Sequence, residues 1–169
     1  TLEYQEELQI QTYHAPRPDG KKDFYIPHLD WIPSRPRLAT LLIYLEEPVA
    51  GGETIFPLVR VNSTQRNGHL YDRTASEEAA KSMWHMGACD AADAVTPWLR
   101  VKPRKGAAVM FYNVRHDSSI DPLSIHGSCP VLAGAKTVLQ QWLSTAWMAP
   151  THSPDIQFFY RTLAFGSDS

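Results

Sequence analysis

Cysteine is scarce in this sequence: Cys89 and Cys129 are the only two among 169 residues. At most one intrachain disulfide is possible, and a scaffold held together by many disulfides is excluded. Long apolar runs are missing as well. The longest candidate, Leu38 to Leu45, falls far short of the ~18 to 20 residues that a membrane-spanning helix needs, so the chain reads as soluble, without a span. Charge of one sign is not in excess, since 16 Lys and Arg against 18 Asp and Glu leave a formal net charge of -2. No basic run interleaves with aromatics, which argues against nucleic acid as a partner. Neither His-Glu-x-x-His nor Cys-x-x-Cys occurs, so a zinc protease or a structural zinc site finds no support. No repeat, low-complexity tract or signal-peptide pattern is present, and a targeting signal is expected only upstream of Thr1.

A hydrophobic content of 43% and a charged content of 20% suit one ordinary core, and we read residues 1–169 as a single domain. Thirteen prolines and nine glycines cut the chain into short apolar runs. That is the pattern of a mainly β sandwich or barrel rather than of alternating βα units. The runs expected as strands are Glu7 to Tyr13, Phe24 to Trp31, Leu38 to Glu46, Glu53 to Phe56, Ala107 to Tyr112, Leu123 to His126 and Lys136 to Ala146. The stretch from Asn67 to Trp98 differs in character. Ala75 to Met86 is rich in Ala, Glu, Lys and Met, and Thr74 with Glu77 fits a capping box, so we expect a short helix there, in an insertion long enough to form a flap over one mouth of the barrel.

His28 and Asp30 are two residues apart in an apparent strand, a spacing that sends both side chains to one face. His126 follows in a second apparent strand, with enough chain between them to bring it back to the first. Two His and one carboxylate on one face of an octahedral ion leave open positions, the arrangement that suits Fe(II) oxygenases. His14, His69, His85, His116 and His152 have no comparable carboxylate and strand context and read as surface histidines. Lys136 begins an apolar strand ten residues after His126, and an inward Lys needs an anion for company. The far carboxylate of 2-oxoglutarate is such an anion; an exposed Lys at a strand start is the plain alternative. Cys89 and Cys129 read equally well as two buried thiols or as one bond, which would close a loop of about 40 residues worth roughly 4 kcal/mol in the chain-entropy model. Asn62-Ser63-Thr64 fits a glycosylation acceptor.

Six motifs then occur in order: Tyr25-x-Pro27-His28-x-Asp30, Arg37-x-Ala39-Thr40 with Tyr44-Leu45, Gly51-Gly52-Glu53-Thr54-x-Phe56-Pro57, Val101-x-Pro103-x-Lys105-Gly106, His126-Gly127-x-Cys129-Pro130-Val131 and Gly134-x-Lys136. In order and spacing this series resembles the prolyl 4-hydroxylases of the collagen, plant and algal type, over roughly Glu6 to Thr145. The resemblance implies a double-stranded β-helix, or jelly roll, with a short accessory helix in an inserted loop. It implies Fe(II), 2-oxoglutarate and O2 as cofactor and co-substrates, with ascorbate beside them, and hydroxylation of peptidyl proline to 4-hydroxyproline with release of succinate and CO2. It also implies roles. His28, Asp30 and His126 match iron ligands, Lys136 matches the partner of the distal carboxylate, Tyr44 and Thr54 are hydroxyl donors beside it, and Tyr13 stands near the metal-chelating end. Glu6, Tyr25, Arg37 and Trp142 look similar to positions that contact or frame the target proline of a peptide or protein substrate.

The same resemblance implies a Cys89–Cys129 disulfide and, with it, the secretory pathway, in the endoplasmic reticulum lumen. It implies too that a part lies upstream of Glu6, whose place a partner subunit or a missing N-terminal segment takes. Two departures from the pattern stand out. Ala15 to Gly20 are extra residues between Tyr13 and His28, and Ser144 stands where plant and algal relatives often carry His. Two other readings fit the residues: a 2-oxoglutarate oxygenase acting on another substrate class, and a non-catalytic binding module of the same fold.

Overall fold

The computed structural model describes residues 6–31, 36–60, 73–85, 87–89 and 98–144. Ten strands and one helix follow in chain order: β1 (Gln9–His14), β2 (Tyr25–His28), β3 (Arg37–Glu46), β4 (Ala50–Gly51), β5 (Thr54–Arg60), α1 (Arg73–His85), β6 (Trp98–Val101), β7 (Ala108–Tyr112), β8 (His126–Ser128), β9 (Val131–Ala133) and β10 (Ala135–Ser144). They form an antiparallel sheet β1-β10-β3-β7, a second antiparallel sheet β2-β8-β5-β6 and the small pair β4-β9.

Period-two alternation sets the inner face of the first sheet. In β3 it turns Thr40, Leu42 and Tyr44 inward, all buried, and in β10 it does the same for Lys136, Val138 and Trp142. Leu42, Tyr44 and Val138 pack with Val109 and Phe111 of the same sheet and with Val101 of the second. The Phe56 and Phe111 rings meet edge to face at 5.2 Å between centroids, and Tyr44 Oη donates to Thr54 Oγ1 at 2.9 Å. The two sheets thus lie face to face as a jelly roll, the expected fold.

The insertion contributes α1, whose Ala80 packs on Leu29 and Ile125. Trp84 approaches Gly127 so closely that a Cβ there would stand 3.3 Å from the indole and 2.9 Å from Tyr25 O. Gly127 lies between His126 and Ser128, both of which face the cavity described below, so the pleat puts Trp84 on the opposite face of the second sheet. The helix therefore backs that sheet rather than covering a mouth of the barrel. This corrects the flap expectation for the described part of the insertion; 61–72, 86 and 90–97 lie outside the described residues. Thr74 falls inside the first turn rather than ahead of it. A Cys89–Cys129 disulfide ties the chain just after α1 to the end of β8.

Other boundaries also shift. β2 stops at His28, leaving Asp30 in the bend that follows. The run from Leu123 is mostly a 3-10 turn over Pro122–Ser124, which the Asp121 side chain caps at Leu123 N, so the strand begins only at His126. β5 continues beyond Phe56 through Pro57, which the ladder tolerates because pairing with β6 shifts between Phe56 and Arg60. β4, β6 and β9 are not among the expected strands. β10 is described to Ser144, with Ala146 outside the described residues.

Candidate active site

β2 and β8 are antiparallel neighbours, and their register sets His28 directly opposite His126. Each imidazole is oriented by a backbone carbonyl: His28 Nδ1 lies 3.0 Å from Ile26 O, and His126 Nδ1 lies 3.0 Å from Ser124 O. A protonated Nδ1 donating to a carbonyl leaves Nε2 as the free lone pair, the state in which imidazole binds a metal. The two Nε2 atoms face Asp30, at 3.4 Å from Oδ1 for His28 and 3.7 Å from Oδ2 for His126. One ligand atom from each of the three residues falls within 4.8 Å of the others, and no second such group of His, Cys, Asp or Glu occurs among the described residues.

The electrostatics favour the ligand state. Burial pushes the Asp30 carboxyl upward, but the two imidazoles and the Thr40 hydroxyl outweigh it and hold the group well below the usual carboxylate range. Burial pushes the His126 imidazole down to about 4, against the pull of Asp30. An ionised carboxylate and a neutral imidazole with its Nε2 turned inward are the forms a divalent ion requires. The donor set therefore fits Fe(II) as two His and one carboxylate.

Deeper in the same cavity stands Lys136, whose register partner across β1 and β10 is Tyr13. Its side chain is only 1% exposed. Nζ donates to Gly52 O at 2.8 Å and to Ser128 Oγ, and it lies 4.6 Å over the Tyr13 ring. An ammonium has three N–H donors, and these two acceptors leave the third for an incoming anion. Burial drives the amine down to about 8, with Glu53 opposing the fall. Gly52 O can point at Nζ because Gly51 and Gly52 both take positive φ, and a Cβ on Gly51 would collide with Pro130 O. The hydroxyl of Tyr13 is pushed up to about 12 by burial.

The structure therefore gathers His28, Asp30, His126, Lys136, Tyr13 and Thr54 around one cavity of about 590 Å³. Tyr44 stands behind it, fully buried, and reaches it through its hydrogen bond to Thr54. The extra residues after Tyr13 do not displace it: they close a turn in which Gly20 N donates to Arg17 O, and Asp23 takes both His14 N and the Arg17 guanidinium.

Of the residues expected at the peptide, Tyr25 is exposed on the rim with its ring 4.4 Å from that of His28. Glu6, Arg37 and Trp142 form a connected group. Arg37 binds Glu6 through Nε and Nη2 at 2.7 and 2.8 Å and stacks 3.8 Å over the Trp142 ring. Its Nη1 reaches Asp30 O at 3.3 Å, so Arg37 also holds the backbone of a candidate ligand residue. Arg37 and Trp142 line the cavity. His14 and His85 are exposed, while His69 and His152 lie outside the described residues.

Sequence reasoning missed Ser128, Thr40 and Asn113 as site residues. Ser128 was open to detection, being two residues after His126 on the same strand face. Thr40 lies within a quoted motif, but nothing local marks its partner. Asn113 lies just past β7 and carries no local sequence signal of a site.

Comparison with known proteins agrees with this geometry. The model of the 2OG-Fe(II) oxygenase superfamily matches residues 8–148. Prolyl 4-hydroxylase 2 of Arabidopsis thaliana is 31% identical over 144 residues, covering 85% of this chain and 41% of its own length. Prolyl 4-hydroxylase 5 of the same plant is 34% identical over 154 residues, covering 86% and 42%. The chain thus spans about two fifths of the length of these curated relatives. Among solved structures, the 2-oxoglutarate complex of the viral collagen prolyl hydroxylase from Paramecium Bursaria Chlorella virus-1 superposes with a TM-score of 0.56 at 22% identity, over 84% of this chain and 60% of that one, a likeness of fold. By the extent of the family match and by these identities, the chain belongs to the 2OG-Fe(II) oxygenase superfamily.

Proposed function

We propose that this chain is the catalytic part of an Fe(II)- and 2-oxoglutarate-dependent hydroxylase of peptidyl proline, forming 4-hydroxyproline. One observation carries the reading: the ligand atoms of His28, Asp30 and His126 stand within 4.8 Å of one another, and the buried Lys136 amine faces the same cavity. His28, Asp30 and His126 would hold the iron. When bound, the iron with 2-oxoglutarate and O2 supplies the oxidative decarboxylation that yields succinate and CO2 and delivers hydroxyl to the substrate.

The chain's own residues orient and shelter. Lys136 holds the distal carboxylate with its free N–H, assisted by the Thr54 hydroxyl, which Tyr44 fixes from behind. Tyr13 and Ser128 keep the amine in place and close that end to water. Tyr25 at the rim and the Arg37–Trp142 stack beside the cavity supply the aromatic and cationic surfaces that an extended proline-rich segment suits, and the prolyl 4-hydroxylases of Arabidopsis thaliana support that substrate class. Ascorbate as accessory reductant belongs to the same reading, as do an upstream segment or partner subunit. The Cys89–Cys129 bond supports an oxidising compartment, the endoplasmic reticulum lumen.

The test is succinate release with Fe(II) and 2-oxoglutarate, with and without a proline-rich peptide, in wild type and in His126→Ala. Peptide-dependent succinate matched by hydroxyproline, and lost in the variant, is the expected result. Turnover with another substrate class and none with proline peptides removes the peptide assignment and leaves the oxygenase. Failure to bind metal at all removes both.

A further inference from the structure

Asp30 is held from the opposite sheet by a chain of hydrogen bonds that the reading above does not use. Thr40 Oγ1, on the inner face of β3, donates to Asp30 Oδ2 at 2.6 Å. Asn113 Nδ2, just past β7, donates to Thr40 Oγ1 at 3.0 Å. Thr40 and Asn113 are fully buried and Asp30 is 4% exposed. The backbone of Asn113 is fixed on both sides, its N–H donating to Leu38 O at 2.8 Å and its carbonyl accepting from Asp121 N at 3.0 Å.

Proton counting fixes the direction of this chain. A hydroxyl has one hydrogen, and an ionised carboxylate can only accept. Thr40 therefore spends its proton on Asp30, and Asn113 must present its NH2, not its oxygen, to the Thr40 lone pair. Asn113 Oδ1 is then left buried without a hydrogen-bond partner. Turning the amide over would aim that oxygen at Thr40 and draw the hydroxyl proton away from Asp30. A buried acceptor left unpaired is a cost that native structures seldom tolerate without a use.

We propose that Thr40 and Asn113 are positioning residues for the metal centre, a relay across the two sheets that presents the Asp30 carboxylate in one rotamer toward His28 and His126. The inference rests on those three residues being the metal ligands. Hydrogen-bonded partners behind a ligand typically change metal affinity by about 10- to 100-fold when removed, and Thr40 reaches the ligand carboxylate directly. Asn113 acts one bond further away, so its effect is smaller.

The experiment is titration of the metal-free protein with Mn(II), a redox-silent stand-in for Fe(II), followed by electron paramagnetic resonance of the free ion, with thermal melts of the same metal-free samples. Thr40→Val, which keeps the shape and removes the hydroxyl, is expected to weaken Mn(II) binding at least tenfold, and Thr40→Ser, which restores a donor, to recover most of it. Asn113→Ser is expected to weaken binding severalfold. If Thr40→Val binds Mn(II) as wild type does, the relay is overturned while the metal centre stands. The relay is overturned equally if Thr40→Ser loses as much affinity as Val, since the hydroxyl would then not matter. If Thr40→Val does not fold, Asn113→Ser decides: severalfold weaker binding supports the relay and unchanged binding overturns it. Wild type that takes up no Mn(II) overturns the metal reading and, with it, the relay.

Discussion

Lys136 is a buried amine whose pKa burial lowers to about 8, and this bears directly on its proposed part in holding an anion. Below that value the free site presents an ammonium and above it a neutral amine. A dicarboxylate binds the ammonium, and its affinity should therefore fall as pH rises through about 8, approaching tenfold per pH unit at the alkaline end. Measuring 2-oxoglutarate affinity with Mn(II) present between pH 7 and 9.5 checks this. Lys136→Arg, which stays charged over the range, should give a flat profile; a flat profile in wild type would show that the Lys136 amine stays charged through pH 9.5 or does not carry the anion, and Lys136→Met separates the two, losing affinity in the first case and keeping it in the second. His126 works in the opposite range. Its imidazole is pushed down to about 4 in the fold and titrates near 6.5 when unfolded, so between those values the unfolded chain binds more protons, and stability rises with pH. Melts of the metal-free protein should lose several degrees between pH 6.5 and 4.5, and His126→Gln should lessen the slope. At this scale the sequence was legible through its ordered motifs more than through any one spacing: together they mark His28, Asp30, His126 and Lys136 as candidate ligands and counter-charge, and the fold brings the first three together. Thr40 and Asn113 do not stand out, because their hydrogen bonds join residues 10 and 73 apart in sequence, and only the packing of one sheet on the other creates them.

At the scale of elements, the long strands were readable and the shortest pair, β4 with β9, was not. β3 and β10, each of ten residues, carry enough alternation to identify themselves. β9 spans three residues between Pro130 and Gly134, and β4 only two, Ala50–Gly51; each exists because the other is beside it, a tertiary cause without a local signature. β2 ends at His28, so the period-two argument for Asp30 led to the right neighbour through the wrong backbone: the bend, not the pleat, turns the carboxylate back toward the imidazoles. The disulfide belongs here too, since it fastens the chain after α1 to the strand that carries His126. Cutting a 40-residue loop should cost up to roughly 4 kcal/mol, less where the unfolded chain retains structure. Cys89→Ser with Cys129→Ser should therefore melt at least several degrees lower while keeping Mn(II) affinity within a few fold, because α1 supports the far face of that sheet and touches no ligand. Loss of metal binding at temperatures where the double variant is still folded would show that the bond positions His126 as well as stabilising the fold.

For the whole molecule, the consequential fact is that the two ends of the cavity belong to different sheets. The candidate metal ligands come from β2, the bend after it and β8, all on the second-sheet side, whereas Lys136 comes from β10 on the first. A co-substrate that binds metal at one end and ammonium at the other spans the sandwich. Metal and dicarboxylate should accordingly stabilise the fold cooperatively. A ligand that binds only the folded state contributes about 2.7 kcal/mol at 100 times its Kd, roughly 5 to 11 °C in Tm for a chain of this size. Mn(II) alone should produce such a shift, 2-oxoglutarate alone very little, and the two together more than their sum, because the dicarboxylate finds both anchors only when the metal is in place. In Lys136→Met the Mn(II) shift should persist and the excess vanish; in His126→Ala both should vanish. Scanning calorimetry over the four ligand combinations decides it, and simple additivity in wild type would mean that the two anchors are not bridged by one molecule.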